Sequence, residues 1–241
     1  MKLLQWNIWY KEKIENIAQT IKTIDPDIVC LQELGVYSVA NPDAHTAHKL
    51  QSLLGLNMYY KDAQKWEGAH SEQGNAILSK YPIIRSDYEY IQVSTESIDY
   101  SKEGRVYVEV SLQIDKKIIA IGTTHMSYTH QFQETHEKKK ETDNLVNVLK
   151  TKKASFIFTG DLNTTPESYT IKEIEKYLTN AGPSFQKNTW TTKPFDYQGF
   201  TESKLNWRLD YVFHSPDLRA LSAEVIQTNY SDHLPLLVEF A

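Results

Sequence analysis

Short apolar runs of strand length alternate along the chain with longer stretches of helical spacing. Residues 2–8 read as a buried strand, after which Ile14, Ile17, Ala18, Ile21 and Ile24 recur at helical intervals until Asp25-Pro26 stops the helix. Ile28 to Leu31 resumes as a strand, so the opening is a strand, helix, strand crossover unit. Residues 74–79, 105–114 and 117–124 follow as successive strands joined by short turns. A polar helix is expected over 131–151, with Leu145, Val146, Val148 and Leu149 as its inner face, followed by a strand at 155–159. A helix over 167–180 and terminal strands at 208–214, 219–227 and 235–240 complete the pattern. A crossover unit combined with hairpin-like strands predicts an α/β fold with mixed sheets. The segments 34–48, 62–73 and 183–206 mix Gly, Pro, Asn, Asp, His and aromatic residues without periodicity, and are expected to be loops around a site. With no repeat or dividing linker, residues 1–241 are expected to form one domain.

Composition narrows the functional classes. The 241 residues are 40% hydrophobic, enough for a large core. Lys plus Arg is 26 against 31 for Asp plus Glu, and the formal charge of −5 excludes a global basic field for gripping nucleic acid. Local patches remain as candidates: Lys138-Lys139-Lys140, and Lys150 with Lys152-Lys153, each read as a solvated face of the predicted helix. Cys30, the single cysteine, lies in an apolar run, forms no intrachain disulfide and is expected in the core. Neither a signal peptide nor a membrane-length apolar stretch is legible, so a soluble, cytoplasmic protein without membrane insertion is expected. No heptad or exposed apolar stripe marks self-association, and a monomer is the expectation.

The candidate chemistry lies at the strand ends. Gln5-Trp6-Asn7, Leu31-Gln32-Glu33, Gly160-Asp161-Leu162-Asn163 and, more loosely, Leu209-Asp210 each follow an apolar run, and Ser231-Asp232-His233 precedes the last one. Acidic and amide groups gathered this way suit a hard cation such as Mg²⁺ or Mn²⁺, which takes oxygen ligands and is held by one or two carboxylates plus substrate phosphate. Glu33 is the first candidate ligand, with Asn7 at the end of the neighbouring predicted strand. One acidic residue at a strand end more often caps the next segment; the assembled set reverses that reading.

Alternation along an extended chain sends Asp161 and Asn163 to the same side, where a carboxylate can orient or deprotonate water and an amide can donate to a phosphate oxygen. The same residues also suit a turn before a helix capped by Thr164 or Thr165, with Pro166 first. Asp232 and His233 would point opposite ways in a strand, so only a loop conformation presents both to one centre. His233 could contact phosphate or water, with Asp210 fixing its tautomer. His125, closing another strand-like run, could supply a further donor to phosphate. His45, His48, His70, His130, His136 and His214 have no ligand spacing and are read as structural or loop polar residues. The chain has no G-x-S-x-G elbow, no G-x-x-x-x-G-K loop, no H-E-x-x-H and no cysteine pair for zinc.

Taken in order, Trp6-Asn7, Leu31-Gln32-Glu33, Gly74-Asn75-Ala76-Ile77-Leu78-Ser79, Thr124-His125, Gly160-Asp161-Leu162-Asn163, Arg208-Leu209-Asp210-Tyr211 and Ser231-Asp232-His233 resemble the motif series of the endonuclease/exonuclease/phosphatase superfamily over nearly the entire chain. The resemblance implies a four-layer α/β sandwich, two mixed β-sheets face to face with helices outside, and a site at the sheet edges. It further implies Glu33 as principal Mg²⁺ (or Mn²⁺) ligand, with Asn7 and Asp232 close to the metal. Asp161 would orient the attacking water, Asn163 would bind phosphate, and His233, with Asp210 behind it, would stabilise phosphoryl oxygens. His125 would contact substrate, and Arg105 and Asn75 are additional candidates for substrate binding.

The implied reaction is in-line attack of water on a phosphoester. A phosphodiesterase acting on nucleic acid, DNA or RNA, is the first expectation. Lys187, Trp190, Lys193, Phe195, Tyr197, Phe200, Lys204 and Trp207 offer cations and stacking rings for it. The alternative is a phosphatase or phospholipase-type phosphodiesterase for a small or lipid-like substrate, favoured by the net negative charge. A catalytically silent binding module is a third reading, against which the full complement of acidic groups weighs.

Overall fold

The apolar runs become strands and the periodic stretches become helices. Their order is β1 (Lys2–Asn7), α1 (Ile14–Ile24), β2 (Ile28–Ser38), β3 (Asn41–His45), α2 (Thr46–Leu54), β4 (Asn57–Asp62), β5 (Gln73–Ser79), β6 (Ile83–Gln92), β7 (Arg105–Ile114) and β8 (Lys117–His125). The second half adds α3 (His136–Leu149), β9 (Phe156–Asp161), α4 (Tyr169–Ile174), β10 (Thr179–Asn180), β11 (Phe195–Tyr197), β12 (Phe200–Glu202), β13 (Asp210–His214), β14 (Ala220–Val225) and β15 (Leu236–Phe240). The structure, a computed structural model, describes residues 1–38, 40–63, 73–94, 100–152 and 154–241.

Among the described residues, one mixed sheet runs β14-β15-β1-β2-β5-β4 with β3 on β2, and a second runs β10-β13-β9-β8-β7-β6. β1 with β2 and β8 with β9 are the parallel pairs, bridged by α1 and α3 respectively. Both sheets carry apolar residues on both faces because each is covered twice. Leu3, Ile28, Cys30 and Ile77 of the first sheet meet Val106, Val108, Ile121 and Ile157 of the second in a shared core. Leu4, Trp6, Val29 and Leu31 face the other way, against Ile14, Ile17 and Leu50 of the first two helices. Phe156, Phe158 and Tyr211 pack similarly beneath Leu145, Leu149, Ile171 and Ile174. The layers are helix, sheet, sheet, helix, the expected four-layer sandwich.

Along the shared core, polarity rises toward one end. Beyond Leu3 and Ile28 come Gln5 and Gln32, which bond each other, and Gln32 also donates to Thr123, at 2.9 Å. Thr159 bonds the same Thr123 hydroxyl at 2.9 Å. These buried amides and hydroxyls satisfy one another, as dry polar groups must, and form the floor of the site.

Several sequence expectations are corrected. The segment 34–48 is no loop: β2 continues to Ser38, β3 returns against it, and α2 begins at Thr46. In 62–73, Asp62 and Gln73 belong to strands, while 64–72, including His70, lie outside the described residues, as does Lys153. The helix expected over 131–151 starts only at His136, where the Thr135 side chain accepts from the Lys138 amide. The helix expected over 167–180 is confined to Tyr169–Ile174 and capped by Ser168 rather than Thr164 or Thr165, because Pro166 and Glu167 form a turn first. Among the described residues, no helix is long and apolar enough to cross a membrane.

Candidate active site

Strand register gathers the site. In the second sheet, His125 of β8 lies opposite Asp161 of β9, and Asp161 lies opposite Asp210 of β13. Residues in register point to the same face, so three strand ends deliver their side chains together. From the first sheet, the amide of Asn7 at the end of β1 reaches across, donating to Asp161 Oδ2 at 2.9 Å and to Glu33 Oε1 at 3.0 Å. Asn7 Oδ1 accepts from the Trp9 amide at 3.1 Å. One amide thereby joins both halves of the sandwich.

Glu33 reaches this place through a backbone irregularity. In a regular strand it would follow Leu31 onto the helix-covered face, but pairing with β5 shifts between Leu31 and Leu34, and Glu33 adopts a φ of 63°. This bulge leaves Leu31 and Leu34 on the helix face while re-aiming the carboxylate between them. Glu33 Oε2 also accepts from the Tyr10 amide at 3.0 Å.

Asp161 and Asn163 meet, though not by extended alternation. Asn163 has a φ of 46°, its amide N–H donates to Asp161 Oδ1 at 3.0 Å, and its Nδ2 lies 3.1 Å from His125 Nε2 and donates to the Met126 carbonyl at 2.9 Å. Asp161 Oδ2 is 3.4 Å from His125 Nε2 and 3.5 Å from His233 Nε2. Burial raises the Asp161 carboxyl to about 6; the charge of His233 opposes that rise and Asp210 adds to it.

Ser231 and Asp232 form a bend before β15 and His233 an isolated bridge to Trp190, the irregular conformation their joint presentation requires. Ser231 Oγ donates to the Asn7 carbonyl at 2.7 Å, and Trp6 Nε1 donates to the His233 carbonyl at 3.0 Å. His233 Nδ1 is 2.8 Å from Asp210 Oδ2. Burial alone would lower the imidazole pKa, but Asp210, Asp161 and Asp232 outweigh it and hold His233 well above its ordinary 6.5. Asp161, Asp210 and His233 could be read as a metal cluster, since their ligand atoms lie within 4.8 Å of one another. A protonated imidazole already facing two carboxylates has no lone pair for a metal, so we read this group as an ion-paired triad in which His233 is hydrogen-bonded to Asp210.

Asp232 lies on the Glu33 side. Burial raises its carboxyl to about 6, with the charge of Glu33 adding to the rise and that of His233 opposing it. Trp190 Nε1 donates to Asp232 Oδ2 at 3.2 Å. Glu33 and Asp232, two carboxylates whose charges repel each other, fit a hard divalent cation.

A cleft beside them is lined by Glu33, Asn75, Glu103, Arg105 and His125. Asn75 donates to the Val106 carbonyl at 2.7 Å. Arg105 is buried and pairs with buried Glu103 at 3.2 Å. Sequence reasoning missed Glu103, which stands outside any strand-end motif. Rings of the 183–206 segment pack in a separate aromatic cluster beside His233. Trp190, Phe132 and Leu209 are buried, with Tyr128, Phe195, Phe200 and Trp207 packed around them, and the Trp190 ring lies 6.4 Å from that of His233. Lys193 donates to the Asn229 carbonyl at 2.6 Å, while Lys187 and Lys204 are exposed.

One expectation about charge is overturned. Lys139 and Lys140 are exposed, but Lys138 is buried, turned inward on the face of α3 that continues to Leu145 and Leu149. The run is therefore not a uniformly solvated face. Lys152 is also engaged, paired with Glu109 at 2.7 Å.

Known proteins share this arrangement of elements. The model of the Endonuclease/Exonuclease/phosphatase family matches residues 4–233. YbhP of Escherichia coli K12, an uncharacterized protein, is 30% identical over 121 residues, 47% of this chain and 45% of YbhP. The chain thus matches about half the length of that relative. A solved endonuclease/exonuclease/phosphatase family protein from Leptotrichia buccalis superposes with a TM-score of 0.74 at 20% identity, covering 100% of this chain and 99% of that one. The mannosyl-6-phosphatase Bt3783 of Bacteroides thetaiotaomicron gives 0.71 at 16% identity, covering 100% and 99%. At these identities the likeness to the solved structures is one of fold. With the family match running from β1 to His233, the chain belongs to the endonuclease/exonuclease/phosphatase family, a family of phosphoesterases.

Proposed function

We propose that this chain is a Mg²⁺- or Mn²⁺-dependent phosphoesterase that hydrolyses phosphodiester bonds with water. The observation that carries the reading is the surrounding of Asp161 Oδ2, with Asn7 Nδ2 at 2.9 Å and the Nε2 atoms of His125 and His233 at 3.4 and 3.5 Å. A carboxylate raised to about 6 accepts a proton from water near neutral pH far more readily than an ordinary aspartate. His233, held protonated, donates from Nε2 to a phosphoryl oxygen as charge builds there, and Asp210 keeps its ring oriented through Nδ1. Asn163 and His125 bind the phosphate from the other side. Glu33 and Asp232 would hold the cation with Asn7 close by, and its contribution when bound is to polarise the phosphoryl oxygen and offset negative charge.

The part-exposed rings of Phe195, Phe200 and Trp207, packed on buried Trp190 beside His233, support a diester whose leaving group carries a base, hence nucleic acid. A second reading, a small phosphorylated substrate, is favoured by the pairing of Arg105 with Glu103 and by the formal charge of −5, which leave little free cation for a long polyanion. Initial rates on matched phosphate monoesters and diesters, with DNA and RNA among them, in Mg²⁺, Mn²⁺ or chelator, decide between them. Metal-dependent diester cleavage that Asp161→Asn abolishes is the expected result. Monoester cleavage alone moves the assignment to a small-molecule phosphatase, and turnover unaffected by Asp161→Asn removes the mechanism.

A further inference from the structure

We propose that Lys138 is a positioning residue for this chemistry: its buried ammonium ties together the loop that follows His125 and the loop that carries Asn163. The inference rests on the phosphoesterase reading of the same site. Lys138 Nζ donates to the Ser127 carbonyl at 2.7 Å and to the Leu162 carbonyl at 2.8 Å. Ser127 lies two residues beyond His125, and Leu162 stands between Asp161 and Asn163. Glu141, one helical turn on and also buried, accepts from the Ser127 amide at 3.0 Å and lies 3.8 Å from Lys138 Nζ. The peptide groups after Met126 are thus held through both their N–H and C=O.

The loops also interlock directly. The Met126 amide donates to the Asp161 carbonyl at 2.9 Å, and Asn163 Nδ2 donates to the Met126 carbonyl at 2.9 Å. Lys138 stands at this joint, on the helix that connects β8 to β9. Packing does not call for it. The inner face of α3 is apolar at Leu145 and Leu149, and apolar residues at 138 and 141 would fill the same space without burying charge. Burying an ammonium costs free energy unless its protons are bonded. An apolar side chain cannot span two carbonyls from two loops, whereas the three donors of a lysine can. The exposed Lys139 and Lys140 show that charge alone, without this geometry, would have gone to solvent.

Lys138→Met keeps the stem and removes the donors; Lys138→Arg keeps a cation with several donors. If the loops depend on the tie, Lys138→Met lowers kcat by about 10- to 100-fold with a much smaller change in KM, and Lys138→Arg recovers most of that loss. In isotope-labelled protein, the Asn163 side-chain amide and His125 ring resonances shift in Lys138→Met and return toward wild type in Lys138→Arg. Lys138→Met with kcat within about twofold of wild type and unmoved resonances overturns the proposal. Should wild type lack metal-dependent turnover on every phosphoester, the function reading fails, and the resonances alone decide whether the tie holds. If Lys138→Met does not fold, Lys138→Gln, polar but too short to span both carbonyls, provides the same resonance test, with unmoved signals counting against the tie.

Discussion

A lysine that must be buried as a cation makes stability depend on pH in a definite direction. Burial lowers Lys138 from 10.5 to about 8, opposed by the charge of Glu141 and, more weakly, that of Asp161. Below about pH 8 the folded protein carries the whole cost of the buried ammonium. As pH rises from there toward 10.5, folded Lys138 releases its proton while the unfolded chain keeps it, so stability rises with pH. The full window is worth about 3 kcal/mol as an upper bound. Urea midpoints of wild type and Lys138→Met at about pH 7.5 and about pH 9.5 isolate this, because the other alkaline groups cancel in the difference. Wild type should gain on the variant by one to two kcal/mol, roughly; parallel pH curves would mean that burial does not lower the Lys138 pKa. Such a residue was invisible to pattern reading. Three consecutive lysines look like a solvated face, and only the register of α3, with Glu141, Thr142, Leu145 and Leu149 buried alongside, turns the first of them inward.

At the level of elements, the close approach of β8 and β9 aligns His125 with Asp161, and Gly160 permits it. A Cβ on Gly160 would fall 2.5 Å from the Thr124 carbonyl oxygen, a backbone atom that cannot swing aside. Gly160→Ala should therefore push the two strands apart beside the site, costing about 1–3 kcal/mol and reducing turnover more than that loss of stability explains at assay temperature. Thermal melts alongside kcat test this, and a variant with native melting and native kcat would show that the strand spacing is not critical. Elements with clean periodicity were legible: β7, expected at 105–114, occupies Arg105–Ile114, and α1 ends at Asp25 as Asp25-Pro26 indicates. β6 was not legible, because this edge strand exposes most of Ile83–Gln92 and buries only Ile91, leaving no alternation to read. In α2 the buried Thr46, Ala47 and Leu50 are too few and too small to mark a face. The convergence of Asp161, Asp210 and His125 was legible because they stand at strand ends that come into register. The bulge that re-aims Glu33 was not, since a shift of pairing leaves no trace in alternation.

For the molecule as a whole, the site lies on the seam between the sheets. Asn7 and Glu33 come from the first sheet, Asp161 and Asp210 from the second, and His233 reaches Asp210 from the segment before β15, a strand that pairs between β14 and β1. Opening the sandwich would separate Asn7 from Asp161 and dissolve the triad in one step. A ligand that binds only the assembled seam stabilises both sheets together, by an amount set by its concentration relative to its dissociation constant. Calorimetry should accordingly show one unfolding transition that Mg²⁺ moves upward as a unit. Glu33→Ala should abolish the shift while leaving one transition, since it removes a carboxylate from the proposed cation site and nothing from the shared core. Asp161→Asn should keep the shift and lose turnover. Two transitions in metal-free protein would mean that the sheets fold separately and that the seam assembles late. A Mg²⁺ shift undiminished in Glu33→Ala would move the cation elsewhere, and the Asp161, Asp210 and His233 triad would then be the next group to test as its ligands.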